Sequence, residues 1–571
     1  MKGTVPCEKL LFVTFCANAG SRGDMKDRTA VKWIRKNTGN RDLEGAVLIL
    51  LNALIAVCTT LFAVISKNVI DCAQKGDFEL LKKHVLILLS AILIQMLARI
   101  SASFLEAVSQ GRAEIALKTK VFSSILGGNF AKMNFYHSGE LMTRLTADVS
   151  VVSEYAVHIV PTATLNVVKL VSAAVTLLAL DRQFAVVFIV CGTAVSVAAL
   201  ILRNPIKKLH RTVQEKDGHL RSFMQETIEN LFAVKVFGIE EKMVHRSVKR
   251  QRRLYIAKLK RIGVSIASQL GFSFAFALGF LAAVAYGAKG ILRGTMTFGT
   301  VMSLILLVNQ LQSPISGITA VIPSFFSMVS SAGRLMEITE EKSENKAFEN
   351  IDYDSFVGIE AKSLSFDYDG EPVISNADFT VDKGDFVGIC GRSGAGKTTL
   401  FKLLTGLYEP VSGSVVVKTD TGTKNADALR SLISFVPQDN MLFSGTLREN
   451  ITLLNKNATD GEIENALKTV CADEFVGALP LGLETQLSED GGGISQGQAQ
   501  RLAIARALLS GRKILLMDEA TSSLDAETEK KFIENLKEIN GITVLFITHR
   551  KEILRNCSKV IEISGGEISI K

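Results

Sequence analysis

The chain has 571 residues, more than one hydrophobic core can organise, which predicts two or more domains. An apolar content of 47% and a mean hydropathy of +0.27 coexist with 21% charged residues, which excludes a uniformly soluble composition and predicts an apolar part joined to an ordinary soluble part. The net charge of +8 admits nucleic-acid binding, but the basic residues stand beside hydrophobic stretches, so membrane anchoring is the expected reading and nucleic acid is not an expected partner.

Residues 1–44 precede the first long apolar stretch. KLLFVTFCANAGS at 9–21 imitates a signal peptide, but its apolar run is too short for one. Residues 25–44 carry Lys26, Arg28, Lys32, Trp33, Arg35 and Lys36, which predicts an amphipathic helix lying on the inner membrane face. Met25 is an alternative start, and N-terminal sequencing distinguishes it from Met1.

A helix that crosses a bilayer needs about 20 mostly apolar residues. Six stretches qualify, at 45–66, 84–107, 154–179, 183–203, 262–290 and 297–322, within a transmembrane domain spanning 45–336. An even number of crossings puts both termini on one side. The segments 109–153 and 204–261 are long, helical in pattern and basic, whereas the opposite loops are short. The distribution of lysine and arginine therefore predicts cytosolic termini and long cytosolic extensions of the membrane helices. The cell membrane (plasma or inner) is the expected location. The eight cysteines, at 7, 16, 58, 72, 191, 390, 471 and 557, have no zinc or redox spacing and read as structural thiols of a protein whose soluble domain is cytosolic.

A polar linker at 337–354 leads to a domain at 355–571 that alternates β-like and helical runs, as an α/β fold does. The apolar run 387–390 enters GRSGAGKT at 391–398, followed by a helical pattern. That strand–loop–helix context is what a phosphate-binding loop requires. Gly391, Gly394 and Gly396 let the backbone of Arg392, Ser393 and Ala395 wrap phosphates, and Thr399 continues the loop into its helix. Lys397 is expected to reach the β- and γ-phosphates of ATP, and Thr398 to ligate Mg²⁺. KILLMDE at 513–519 is a buried strand ending in two acids. Asp518 fits the Mg²⁺ role and Glu519 the general base that polarises the attacking water. Gln438 and His549 each follow a short apolar strand. Gln438 is expected to touch Mg²⁺ and water, and His549 to hold the γ-phosphate and orient Glu519. Tyr368 offers a ring face for adenine.

GGGISQGQAQRLAIARAL at 491–508 completes the pattern. Together with the phosphate loop, Gln438, the acidic strand, SSLD at 522–525 and His549, in that order, it resembles the nucleotide-binding domain of ATP-binding cassette (ABC) transporters. The family's usual LSGGQ is here ISQGQ, with Gln496 in place of a glycine; Ser495, Gly497 and Gln498 are intact. The first half resembles the six-helix membrane domain of exporter-type members, with residues 135–148 and 226–238 similar to the two cytosolic loop regions and Glu489 similar to the residue that contacts them. The resemblance implies an α-helical transmembrane bundle followed by an α/β P-loop domain. It also implies a half-transporter that pairs with a second subunit, most simply as a homodimer, and binds two ATP between the phosphate loop of one copy and the signature of the other. ATP closure and hydrolysis then switch a cavity between inward- and outward-facing states.

Cargo is the open part. Thr162, Asn166, Lys169, Ala173 and Thr176 form a polar line at helical spacing, and Asn309, Gln310, Gln312 and Ser313 lie at similar depth in the sixth stretch. A lysine at mid-membrane costs roughly 2.5–3.5 kcal/mol, so it is expected to face a wet cavity or a partner. Interior helix packing is the alternative reading of the same residues. The cavity reading, centred on Asn166, Lys169, Asn309 and Gln312, suits a peptide, a lipid or an amphipathic drug. An importer of metal chelates on the same fold and an ATP-gated channel or regulator are the alternatives.

Overall fold

Apolar runs flanked by charge fold here as very long helices. The computed structural model describes residues 24–39, 42–340, 351–368, 370–438, 442–488 and 492–571. The chain divides into two units: one holds Ser138–Glu340 and the residues up to Ile125, the other holds Leu126–His137 and Glu341–Lys571.

In the first unit the helices run Asp42–Lys75, Phe78–Gly127, Val149–Leu180, Arg182–Glu229 and Glu240–Leu292. The 50 residues of Phe78–Gly127 make a rod about 75 Å long, against a hydrocarbon core of about 30 Å. The excess length is the predicted extension of the membrane helices. Among the described residues, four helical segments are long and apolar enough to cross a membrane, and the predicted fourth stretch lies within Arg182–Glu229. On Phe78–Gly127, Leu86, Leu89, Leu93, Leu97 and Phe104 are exposed, as side chains bathed in lipid are.

The sixth stretch departs from expectation. It is two helices, Phe298–Gln310 and Gln312–Thr339, with Leu311 between them. Pro314 is the physical reason: it has no N–H to give the carbonyl four residues back, and it disfavours helical geometry at the residue before it.

The N-terminal helix Asp24–Asn37 also corrects an expectation. Its apolar face turns into the protein instead of toward a membrane surface. Ala30, Trp33 and Ile34 are buried with Leu335 and Ala332, and the Trp33 indole donates to Thr339 Oγ1 at 3.1 Å. A buried indole needs such an acceptor, which the last helix provides.

The same helix is tied elsewhere by charge. A π turn, Arg144–Asp148, precedes Val149–Leu180. Arg144 donates to the Arg334 carbonyl at 2.8 Å and pairs with Glu337 at 2.9 Å and Glu140 at 2.7 Å. Arg334 returns the contact through Nε to Asp148, at 2.8 Å. Small residues allow close approach deeper in the unit, where Ala63 and Ala173 pack with Leu177, Leu304 and Leu307.

Among its described residues the second unit has twelve strands: β1 Phe356–Tyr368, β2 Glu371–Asp382, β3 Phe386–Gly391, β4 Ser412–Thr419, β5 Gly422–Asn425, β6 Ile433–Val436, β7 Gly445–Thr446, β8 Gln486–Leu487, β9 Ile514–Asp518, β10 Thr543–Ile547, β11 Lys559–Ser564 and β12 Glu567–Ile570. Six form a sheet in the order β12-β11-β3-β10-β9-β6. Its inner pairs are parallel, and only the β11–β12 hairpin is antiparallel. Every residue of β9 and β10 is buried, as central parallel strands covered on both faces require. A four-stranded antiparallel sheet, β2-β1-β4-β5, shares a core with it through Phe379, Val387 and Leu400.

Candidate functional site

Parallel strands bring their carboxyl ends to one edge, where α/β folds bind ligands. That edge collects residues far apart in sequence. The phosphate loop follows β3, His549 follows β10, Asp518 ends β9 with Glu519 next in the chain, and Gln438 follows β6. These four strands are neighbours in the sheet.

The loop is shaped by glycine at specific points. Gly394 has φ +79 and Gly396 has φ +94, conformations that side chains resist. A β-carbon at Gly396 would also strike Val373. The helix Lys397–Leu404 then starts at Lys397. Lys397 is buried, and its ammonium donates to the Gly391 and Arg392 carbonyls at 3.0 Å each. The cation therefore sits inside the loop it is expected to share with phosphates, with Ser393 and Ala395 on that loop.

Thr398 Oγ1 donates to Asp518 Oδ2 at 2.8 Å. Burial pushes the Asp518 carboxyl above its usual range, while the Thr398 hydroxyl pulls it back and the neighbouring Glu519 charge raises it. An all-oxygen pair of this kind fits Mg²⁺, which takes one or two protein ligands beside substrate phosphates. Among the described residues no larger cluster of metal-ligating side chains exists.

Glu519 stands one residue beyond β9 with φ +49. Its amide donates to the Ile547 carbonyl of β10 at 3.0 Å. Its carboxylate is held from two sides: Gln438 Nε2 donates to Oε2 at 3.2 Å, and His549 Nε2 lies 3.3 Å from Oε1. The structure thus brings Gln438, Glu519 and His549 into one cluster.

Tyr368 keeps an exposed ring, and its hydroxyl lies 3.3 Å from Thr399 Oγ1. Phe366 meets it edge-on at 5.0 Å and Tyr408 at 5.9 Å. Tyr408 carries no sequence signal of its own, yet it joins Tyr368 to Phe130 of the Leu126–His137 segment, 6.1 Å away. Lys402 lies over both rings, 5.2 Å from Tyr408 and 5.9 Å from Phe130. Burial and the adjacent Tyr368 push the Tyr408 hydroxyl up.

The signature string opens the helix Gln496–Leu509, whose buried Leu502, Ala503 and Ile504 anchor it in the core. Ser495 caps that helix: its hydroxyl accepts from the Gln498 amide, and Gln498 Oε1 accepts from the Ser495 amide at 2.9 Å. Gln498 is thereby engaged in holding Ser495, which leaves Ser495 and the exposed Gln496 at the helix tip. At Gly497 a β-carbon would come within 2.8 Å of the Ser523 carbonyl.

Two residues without a motif of their own complete this region. Gln500, fully buried, donates to Ser522 Oγ at 3.3 Å and accepts from the Ser523 amide at 3.1 Å. Arg550 donates to the Ser522 carbonyl at 2.8 Å and the Leu524 carbonyl at 3.1 Å, and pairs with Glu529 at 2.8 Å. Replacing Gln500 by Leu strips the Ser523 amide of its acceptor, and the expected cost is about 1–3 kcal/mol. Thermal unfolding of the purified chain measures it; an unchanged midpoint would show that water takes over the amide.

Other predicted residues belong to the first unit. Asn166 is buried against Gly317, Lys169 is half-buried and Asn309 is exposed. Gln310 donates to the Thr59 carbonyl at 2.9 Å, which is helix packing. The Gln312 side chain and Glu489 lie outside the described residues.

The family model described as ABC transporter matches residues 374–522, and that of the ABC transporter transmembrane region matches residues 46–315. The chain is 28% identical over 534 residues to the uncharacterized ABC transporter ATP-binding protein YfiC of Bacillus subtilis, covering 91% of this chain and 88% of that one. It is 28% identical over 491 residues to the ATP-dependent lipid A-core flippase of Syntrophus aciditrophicus, covering 84% and 81%. Its fold is that of a bacterial Atm1-family ABC exporter solved with ATP bound, with a TM-score of 0.76 at 22% identity, covering 93% and 95%. A multi-pass transmembrane region and an ATP-binding domain in one chain make this protein a member of the ABC transporter family, an exporter-type half-transporter whose ATPase is coupled to transmembrane transport.

Proposed function

We propose that two copies of this chain form a homodimeric ATP-driven exporter, with two ATP bound between the Lys397 loop of one copy and Ser495 of the other. The carrying observation is the Glu519 carboxylate, fixed between Gln438 and His549 beside the Thr398–Asp518 pair. In this reading Glu519 takes the proton of the attacking water, and His549 and Gln438 orient it. Lys397 and the loop amides hold the phosphates. Thr398, Asp518 and Gln438 hold Mg²⁺, which when bound neutralises phosphate charge. Tyr368 stacks on adenine, and Ser495, Gly497 and Gln498 form the half-site for the second copy's nucleotide.

Dimer formation has separate support. The short helix Leu231–Val236 in the second cytosolic loop region exposes Leu231, Phe232, Val236 and Phe237, with Phe232 83% exposed. Apolar tips of this kind are docking surfaces, and a second copy is the occupant assigned here. Both termini and the ATPase lie in the cytosol of a cell-membrane protein, as the basic run Lys249, Arg250, Arg252, Arg253 supports.

The facing arrangement has a direct test. A Ser393→Cys, Ser495→Cys double variant is expected to yield an ATP-dependent, disulfide-linked dimer on non-reducing gels that neither single variant gives. Monomer alone would refute the arrangement. The cargo proposed is a peptide, lipid or amphipathic drug passing Asn166 and Lys169, and stimulation of ATPase in liposomes by each class separates them.

A further inference from the structure

The middle of the membrane region carries charge that the chain does not balance. Arg99 and Lys169 lie well inside the second and third apolar stretches, 84–107 and 154–179. A charge at such depth needs a partner or water. The two cations stand close enough for Arg99 to act electrostatically on Lys169. Among the described residues neither forms an ion pair. Glu106, seven residues along the helix from Arg99, faces His158 instead, at 3.6 Å. The six apolar stretches hold only one other carboxylate, Glu154. It opens its stretch, about 22 Å along the helix from Lys169. Beyond the far end of that helix, Asp181 accepts from the Tyr286 hydroxyl at 3.1 Å. A second copy of the chain would add the same two cations and the same shortage of acids.

The neutral polar groups around the pair are satisfied by one another. Gln95, one turn before Arg99, donates to Thr59 Oγ1 at 3.1 Å, and Ser172, one turn after Lys169, meets Thr60 Oγ1 at 2.7 Å. These bonds leave the cations without an anion. Arg99 is exposed and Lys169 half-buried, so helix packing does not close over them. Ile92 and Met96, seven and three residues before Arg99 on the same helix face, are exposed as well.

We propose that Arg99 and Lys169 recognise an oxyanion on the cargo, which is then an amphiphile with a phosphate or carboxylate head and an apolar body. The assignment rests on the exporter reading above and narrows its cargo. A guanidinium and an ammonium give an oxyanion strong charge-assisted bonds, and Ile92 and Met96 suit an alkyl part. A neutral or cationic amphiphile leaves both charges uncompensated. Depth assigns the site to a molecule in transit. Arg99 stands eight residues, about 12 Å, from the end of its stretch, and Lys169 ten, about 15 Å. A resident bilayer lipid keeps its head outside the hydrocarbon core of about 30 Å; a translocated molecule brings its head to this depth.

The test is ATP hydrolysis by the full chain in phosphatidylcholine liposomes, titrated with dodecyl phosphate, dodecanol and dodecyltrimethylammonium below their micellar concentrations. Dodecyl phosphate is expected to stimulate wild type at the lowest concentration. Arg99→Gln with Lys169→Gln is expected to raise its half-stimulating concentration by about tenfold or more and to remove its advantage over dodecanol. Arg99→Lys with Lys169→Arg, which keeps both charges, is expected to keep that advantage. A retained melting transition shows that each variant is folded; should the glutamine pair fail to fold, Arg99→Gln alone decides. Equal effects of the three heads, no stimulation by dodecyl phosphate, or an unchanged preference in the folded glutamine variant overturns the proposal. Phosphatidylglycerol liposomes that stimulate wild type unaided and abolish the effect of dodecyl phosphate would give the site to a bilayer lipid and overturn the cargo assignment. The Ser393 and Ser495 cysteine cross-link reports the dimer separately, so a dimer that cross-links yet treats the three heads alike refutes the anion site alone.

Discussion

Glu519→Gln is expected to bind ATP normally and to hydrolyse it roughly 10²–10⁴-fold more slowly, the usual weight of a general base. The geometry makes this a clean substitution. Gln keeps the shape of Glu, and its carbonyl oxygen still accepts from Gln438, whose Nε2 now lies 3.2 Å from the carboxylate. Lys397 donates to the Gly391 and Arg392 carbonyls of its own loop, not to Glu519, so nucleotide affinity is expected to hold. The measurement is single-turnover hydrolysis alongside equilibrium ATP binding. Near-normal turnover would remove Glu519 from the role and return attention to His549.

Gly497→Val is expected to cut hydrolysis by about 10²–10³-fold, as loss of a phosphate-facing donor does, while the variant still binds ATP at its own loop. The argument is steric. Even one β-carbon at this position meets the Ser523 carbonyl at 2.8 Å. That carbonyl belongs to a segment pinned by Gln500 and Arg550, so it cannot retreat freely. The helix tip with Ser495 has to move instead, and its half-site goes with it. A branched side chain makes the displacement certain in direction though not in distance. Hydrolysis assayed at saturating ATP, with binding measured separately, distinguishes this from a folding defect. Unimpaired hydrolysis would show that Ser495 does not need its observed position.

Much of the candidate site's clustering was legible in the sequence because its groups follow short apolar strands. A run such as Ile514–Asp518 announces a buried strand, and a parallel sheet then delivers its end to the common edge. Four of the six apolar stretches fall, among the described residues, in helices long and apolar enough to cross a membrane, since bilayer thickness sets their length. Gln500, Arg550 and Tyr408 escaped because their partners lie from 21 residues away (Glu529 for Arg550) to 278 (Phe130 for Tyr408) and nothing local marks them. The break at Leu311 was readable from Pro314 but masked by high hydropathy on both sides. Trp33 misled for a subtler reason. An amphipathic pattern states that one face is apolar but not whether lipid or protein covers it, and here the last helix does. The polar line through Asn166 had the same ambiguity, and its members divide between buried and half-exposed positions.

The backbone of Glu519 carries a further consequence. A left-handed conformation, φ +49, is one that Gly or Asn adopts with less strain than Glu. The chain would thus fold somewhat more securely without its proposed base. Any selection for thermal robustness alone, in the laboratory or in a lineage relieved of transport, would tend to discard this carboxylate first.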